Sequence, residues 1–239
     1  WRVKVGGFWR DILIPCSNAE EAEHSICRAA TIGRFANRIK RGRFTLGDSL
    51  IQLSKNDGQN HLHGGTTGFD RKIWSAECTE DELTLTCLSP DGEEGYPGEL
   101  RLEVTFRIIN ESGLEINYRA TSTQDTVVNF TNPAYFNLSE DDEILDHLLH
   151  INAAEYQPVD SELIPLNGLE PVDGSVFDFR KPRRLREGIE ALDREKQLQL
   201  GNGYDHNYKL LAGINFNAPA ATLQSPLRDI LLSIYTTLP

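Results

Sequence analysis

The stretch Leu100-Arg101-Leu102-Glu103-Val104-Thr105-Phe106-Arg107-Ile108 decides the fold class. Every second residue is apolar, and Arg, Glu and Thr fill the places between. Successive side chains of a β-strand point to opposite faces, so this alternation sets one face in a core and the other in water. Leu114, Ile116, Tyr118 and Ala120 repeat the pattern beyond Asn110-Glu111-Ser112-Gly113. Two alternating runs around a short turn that ends in glycine predict an antiparallel hairpin. Working outward, Leu83-Thr84-Leu85-Thr86-Cys87 reads as the preceding strand, and 43–53, 126–130 and 230–236 as further strands. Helical signals are few: Asn18-Ala19-Glu20-Glu21 can cap a short helix running towards Arg28, and 184–199 can hold another. Many short strands between Gly, Pro and Asn turns predict an all-β fold, a large antiparallel β-sandwich with few short helices. No internal repeat or Pro/Gly-rich linker interrupts the pattern, so the sequence predicts a single domain over 1–239.

The chain has 239 residues, 39% hydrophobic and 25% charged, an ordinary globular composition with enough apolar residues for a substantial core. No apolar run approaches the roughly 20 residues that span a bilayer. The formal net charge of −12 disfavours a nucleic acid or an anionic membrane surface as partner and fits a neutral ligand better. The cysteines, Cys16, Cys27, Cys78 and Cys87, form no Cys-x-x-Cys pair. Together with an opening Trp1-Arg2-Val3 that lacks a charged-then-apolar leader pattern, they predict reduced, mostly buried thiols and a cytoplasmic location.

Three polar, glycine-punctuated segments stand apart from the strands. They are Ile32-Gly33-Arg34-Phe35-Ala36-Asn37-Arg38-Ile39; Asn56-Asp57-Gly58-Gln59-Asn60-His61-Leu62-His63-Gly64-Gly65, closely followed by Gly68-Phe69-Asp70; and Gly203-Tyr204-Asp205-His206-Asn207. Glycine allows tight turns and close approach of a ligand to the backbone. A monosaccharide needs such a set of fixed donors and acceptors, with an aromatic face for its C–H surface. Phe35, Tyr96, Tyr135 and Phe136 are the candidate aromatics. Taken singly, each residue has a plainer reading. Arg34 and Arg38 can be ion-pairing residues. Asp205-His206 can be a turn pair. His61 and His63 would share one face of a strand, a spacing that also suits a metal, but no third ligand lies nearby, so no metal is expected.

Taken together the segments resemble the aldose 1-epimerase (galactose mutarotase) family. The resemblance rests on Gly33-Arg34-Phe35-Ala36-Asn37-Arg38-Ile39, Asn60-His61-Leu62-His63-Gly64-Gly65, Gly68-Phe69-Asp70, Trp74, Asn132-Pro133-Ala134-Tyr135-Phe136-Asn137-Leu138, Asp178-Phe179-Arg180 and Gly203-Tyr204-Asp205-His206, in the family's order. It implies the galactose mutarotase-like supersandwich and an isomerase that interconverts the α and β anomers of galactose and glucose. A carboxylate takes the anomeric hydroxyl proton, a histidine protonates the ring oxygen, and the opened sugar closes on its other face. No cofactor is implied. Arg34, Asn37, Arg38, His63, Tyr135 and Asp205 then become sugar-binding residues, with His63 beside the ring oxygen and the surviving candidate for catalysis.

Two positions depart from that pattern. The family's acid is a histidine directly after the Asn of Asn-x-x-Tyr-Phe-Asn-Leu, where this chain has Pro133, which carries no transferable proton. The family's glutamate base lies downstream of a Tyr-Thr-Thr-x-Pro segment, and the sequence ends on Tyr235-Thr236-Thr237-Leu238-Pro239. The chain is then either a shortened homologue, with the family's closing strands lacking, or a part of a longer protein. Unpaired strand edges would favour a homodimer. Three functions stay open: an aldose 1-epimerase, a non-catalytic carbohydrate-binding or regulatory homologue on the same scaffold, and an enzyme acting on sugar phosphates. The negative net charge and the lack of a basic cluster beyond Arg34 and Arg38 argue against the third.

Overall fold

The computed structural model describes residues 1–14, 29–110, 112–211 and 218–238. The helix expected around 18–28, and with it Cys16 and Cys27, lies outside these residues. The chain forms two compact units: an N-terminal unit of residues 15–135, and a C-terminal unit in which 136–239 joins residues 1–14. Strands dominate both, and the described residues hold two short α-helices, α1 (Leu185–Ile189) and α2 (Lys196–Gly201).

The C-terminal unit opens with the hairpin β1 (Arg2–Val5) and β2 (Phe8–Asp11). The N-terminal unit then holds β3 (Arg38–Ile39), β4 (Arg43–Leu46), β5 (Ser49–Gln52), β6 (His61–Leu62), β7 (Ser75–Cys78), β8 (Glu82–Ser89), β9 (Leu100–Ile109) and β10 (Gly113–Ser122). Its main sheet is antiparallel in the order β10-β9-β8-β7. The predicted hairpin is present in the register the alternation demands, with Leu102 opposite Ala120, Val104 opposite Tyr118 and Phe106 opposite Ile116. Leu100, Leu102 and Val104 are buried and pack with Phe69 and Cys87, while Trp74, Tyr118 and Phe130 lie against them. Each such aliphatic side chain stabilises the fold by about 1.5–3 kcal/mol on leaving water. On the wet face Arg107 reaches Glu82 and Glu115 across the strands. Two expectations change here. Residues 43–53 form a hairpin rather than one strand, because Gly47, at φ +56°, turns the chain between β4 and β5. Residues 126–130 make no strand: Asn129 and Thr131 form single bridges to Phe35 and Ile32.

The remaining strands of the C-terminal unit are β11 (Leu148–Ile151), β12 (Ala153–Tyr156), β13 (Glu170–Pro171), β14 (Arg183–Arg184), β15 (Tyr208–Leu210), β16 (Ala221–Gln224) and β17 (Leu231–Ile234). They make two antiparallel sheets, β14-β11-β16-β17 and β13-β12-β15. Tyr156, Val172, Phe177 and Leu198 form the core beside the second sheet, joined by Tyr204 and Tyr208. The helix expected over 184–199 is broken in two between α1 and α2. The thiols split: Cys87 is buried, but Cys78 is exposed on β7. No helix among the described residues is long and apolar enough to cross a membrane.

Candidate functional site

The two-stranded ladder of β3 and β6 sets Arg38 opposite Leu62 and Ile39 opposite His61. Just beyond its end, the His63 N–H donates to the Asn37 carbonyl at 3.1 Å. In return the Asn37 N–H donates at 3.0 Å not to a backbone carbonyl but to Nδ1 of the His63 ring. A backbone N–H can only donate, so Nδ1 keeps its lone pair and the ring hydrogen sits on Nε2. Held this way, His63 carries its ring N–H at Nε2. Both residues bend the chain here, Asn37 at φ +66° and His63 at φ +55°. The bend overturns the expectation that His61 and His63 share a strand face. His61 is fully buried, with Nδ1 donating to the Ser54 carbonyl at 2.8 Å and Nε2 accepting from the Tyr96 hydroxyl at 2.7 Å, whereas His63 is only half-buried. Burial pulls the His61 pKa below the ordinary value, against the Ser54 carbonyl and the charge of Glu94.

Arg38 and Asn37 offer donors beside this ring. The Asn37 side-chain oxygen is taken by the Arg38 N–H at 2.8 Å, which leaves its NH2 group. Arg38 Nε donates to Asp57 Oδ2 at 2.7 Å. Its two terminal nitrogens bond to no group among the described residues. Asp57 itself is fixed by a tight turn in which its carbonyl accepts from Asn60 N–H at 2.8 Å. The carboxamide of Asn56 takes both polar groups of Leu62, accepting from its N–H at 2.7 Å and donating to its carbonyl at 2.9 Å.

The loop after His63 passes very close to Gly33. A Cβ on Gly64, at φ +88°, would lie 1.8 Å from the Gly33 carbonyl oxygen, so only glycine fits there. Glu94 clamps the same loop, accepting from the Thr67 N–H at 2.7 Å and its hydroxyl at 2.5 Å, and from the Ser54 hydroxyl. Burial alone would raise the pKa of Glu94, but these hydrogen bonds outweigh it and hold the carboxyl below the ordinary carboxylate value. At the loop's end Asp70 pairs with Arg71 at 3.1 Å. Burial raises the Asp70 pKa, opposed by Arg71 and by the nearby His63.

The other expected residues are placed differently. Arg34 is 2% exposed. Its guanidinium donates to Ser89 Oγ at 2.8 Å and to the carbonyls of Ser89, Pro90 and Pro97 at 2.8, 2.9 and 3.1 Å. It lies 5.7 Å from the centre of the Tyr96 ring. Thus Arg34 ties strands and turns together, and Tyr96 is a buried partner rather than an open face for a sugar. Tyr135, the last residue of the N-terminal unit, is exposed. Pro133 is half-buried, and its carbonyl accepts from the Ala29 N–H at 3.0 Å. Phe136 packs edge-on against Trp1 in the C-terminal unit.

Asp205 belongs to the C-terminal unit and is exposed. Its neighbour His206 packs on Phe177 at 4.8 Å and on Tyr156 at 5.7 Å, and its Nε2 reaches the Gln197 side-chain oxygen at 3.0 Å. The aromatic cluster thereby fixes the backbone that carries Asp205. Among the described residues no group of three His, Cys, Asp or Glu side chains is arranged to hold a metal ion. Asp57, Asn56 and Glu94 are the parts of the site that the sequence reading did not assign.

The family model for aldose 1-epimerase matches residues 1–239. An aldose 1-epimerase of Escherichia coli K12 is 37% identical over 236 residues, 98% of this chain and 67% of its own length. A galactose mutarotase of Sus scrofa is 43% identical over 183 residues, which cover 76% of this chain and 51% of that protein. The chain thus spans about half to two-thirds of the length of these relatives. The crystal structure of galactose 1-epimerase from Lactobacillus acidophilus superimposes with a TM-score of 0.80 at 35% identity, covering 90% of this chain and 63% of that one. An aldose epimerase homologue from C. elegans, at 23% identity, shares the fold with a TM-score of 0.87 over 100% of this chain and 72% of its own. The ladder that presents Asn37, Arg38 and His63 is therefore part of a β-rich galactose mutarotase-like fold, and the chain belongs to the aldose 1-epimerase family.

Proposed function

We propose that this protein binds aldohexoses such as galactose and glucose and acts as an aldose 1-epimerase on them. The observation that carries the reading is the mutual lock between Asn37 and His63, which places the ring hydrogen of His63 on Nε2 and groups this ring with the amide of Asn37 and the guanidinium of Arg38 at one end of the ladder. Such a set suits the ring oxygen and hydroxyl lone pairs of a sugar. The family resemblance adds Tyr135 of the N-terminal unit and, by itself in the C-terminal unit, Asp205 as residues that take sugar hydroxyls.

In the family's reaction a carboxylate takes the proton of the anomeric hydroxyl, and the O–H electron pair forms the C1 carbonyl as the bond from C1 to the ring oxygen breaks. The ring oxygen takes a proton, the C1–C2 bond rotates, and the steps reverse on the other face. Pro133 occupies the family's acid position, so His63 is the candidate donor within the chain. To deliver a proton as an imidazolium it must first release the Asn37 N–H, because a doubly protonated ring has no lone pair at Nδ1. That requirement favours a second reading, a sugar-binding homologue with little or no catalysis.

Polarimetry on freshly dissolved α-glucose separates the two, with a calorimetric titration alongside. Mutarotation well above the spontaneous rate and abolished in His63→Ala supports the epimerase. Spontaneous-rate mutarotation with retained hexose binding selects the binding homologue. Absence of both overturns the assignment of the site.

A further inference from the structure

Asn37, Arg38 and His63 have one feature in common: the acceptor atoms of Asn37 and His63 are used internally, and Arg38 has none. The Asn37 side-chain oxygen is taken by Arg38 N–H, and His63 Nδ1 by Asn37 N–H. A cluster of donors that includes a guanidinium is also the usual receptor for a carboxylate or phosphate. What distinguishes this one is Asp57. Its carboxylate lies 2.7 Å from Arg38 Nε, with the Arg38 side chain 16% and the Asp57 side chain 36% exposed. The pair leaves the terminal nitrogens of Arg38 as directional donors while cancelling the charge behind them. The other ion pair of the loop, Asp70 with Arg71, is likewise neutral in sum.

We propose that Asp57 determines specificity, holding Arg38 in place and neutralising it so that the donor cluster takes uncharged aldoses and rejects sugars carrying an anionic group. The inference rests on the sugar-binding reading above and adds to it the charge class of the ligand. It assigns a role to a residue outside the binding set, acting through Arg38.

The test compares glucose with glucuronate, whose carboxyl is ionised at pH 7.5. Asp57→Asn keeps an oxygen that can accept from Arg38 Nε but removes the charge. Asp57→Glu keeps the charge. Titration calorimetry of both sugars is run on the wild-type protein and both variants, with the protected Arg38 Nε–H resonance followed by NMR. The expected result is a wild-type preference for glucose, a shift of the glucuronate-to-glucose affinity ratio by about tenfold towards glucuronate in Asp57→Asn, and a wild-type ratio in Asp57→Glu. The Nε–H resonance stays protected in all three, which shows that the pair and the local fold survive. An unchanged ratio in Asp57→Asn overturns the inference, as does a shift of equal size in Asp57→Glu. A wild-type protein that binds neither sugar overturns the binding reading and this inference with it. Glucose binding with an unmoved ratio overturns this inference alone.

Discussion

The corner around Asn37, Arg38 and His63 and the corner around Asp205 present polar groups by different physical means. The first is built from hydrogen bonds: backbone to ring between Asn37 and His63, carboxylate to guanidinium between Asp57 and Arg38, and carboxylate to loop at Glu94. The second rests on rings. His206 beside Asp205 packs on Phe177, which stacks on Tyr156 at 4.3 Å and meets Tyr204 at 5.7 Å. Hydrogen bonds fix direction, so they suit donors that must point at particular oxygens. Aromatic packing fixes position through area and shape, and leaves the exposed carboxylate of Asp205 to adjust. The contrast teaches that a loop can be made rigid without a large apolar core when its backbone groups are satisfied by side chains.

The largest expected effect tests the aromatic corner. Phe177→Ala removes a side chain 1% exposed from the centre of the cluster and should cost about 3–5 kcal/mol in urea unfolding. A loss below 1 kcal/mol would show that the rings do not hold this corner. The matching test of the polar corner is Arg34→Leu. It strips four hydrogen bonds and leaves the Ser89, Pro90 and Pro97 carbonyls without their donor, and should cost roughly 3 kcal/mol. If Arg34 instead serves the ligand, affinity will fall while the unfolding midpoint stays put.

Asp205→Ala sharpens the comparison at the level of binding. Loss of a charged hydrogen-bond partner typically costs on the order of 1.5–3 kcal/mol, so galactose or glucose affinity should fall at least about tenfold with unfolding unchanged. Unaltered affinity in calorimetry removes Asp205 from the binding set.

The smallest effect is a pH dependence shared by both units. His61 and His147 are fully buried, and His206 packs among rings. Burial lowers the pKa of each, opposed at His61 by the Ser54 carbonyl and Glu94, at His147 by the Ile144 carbonyl and Asp146, and at His206 by Asp205. A histidine whose folded pKa lies below its unfolded value of about 6.5 binds its proton more readily in the unfolded chain. Its stabilising contribution is therefore complete above pH ~6.5 and is lost as pH falls towards the folded value. Urea midpoints should drop between pH 7.5 and pH 5.5 by the equivalent of about 1 kcal/mol or more. A flat profile would show that these rings can be protonated where they lie.

The sequence made the sheets readable where one face is dry. The alternation at 100–108 and 114–120 becomes β9 and β10 in the expected register, and Leu100, Leu102 and Val104 are buried as expected, whereas Ile108 and Leu114 at the hairpin end are exposed. Periodicity does not see turns inside an apolar run, so Gly47 within 43–53 was absorbed into a strand that it ends. Nor does spacing reveal a positive φ at a residue with a side chain, and for that reason His61 and His63 part company. Arg34 illustrates a different limit. An arginine in a glycine-flanked motif reads as a ligand-binding group, and only burial against Ser89 and Pro90 exposes its scaffolding work. The Asn-Asp-Gly-Gln-Asn run at 56–60 was legible as part of a site, but the separate duties of Asn56 and Asp57 depend on contacts that no local pattern records.

The carboxamide of Asn56 has a further consequence for the protein in a crowded solution. A two-residue strand would ordinarily display a free N–H and C=O to any passing extended peptide, including another copy of the same chain. Here both groups of Leu62 are already occupied by one side chain, which imitates a neighbouring strand and then stops. A residue too short to extend the sheet thus closes this edge at Leu62 to a further strand.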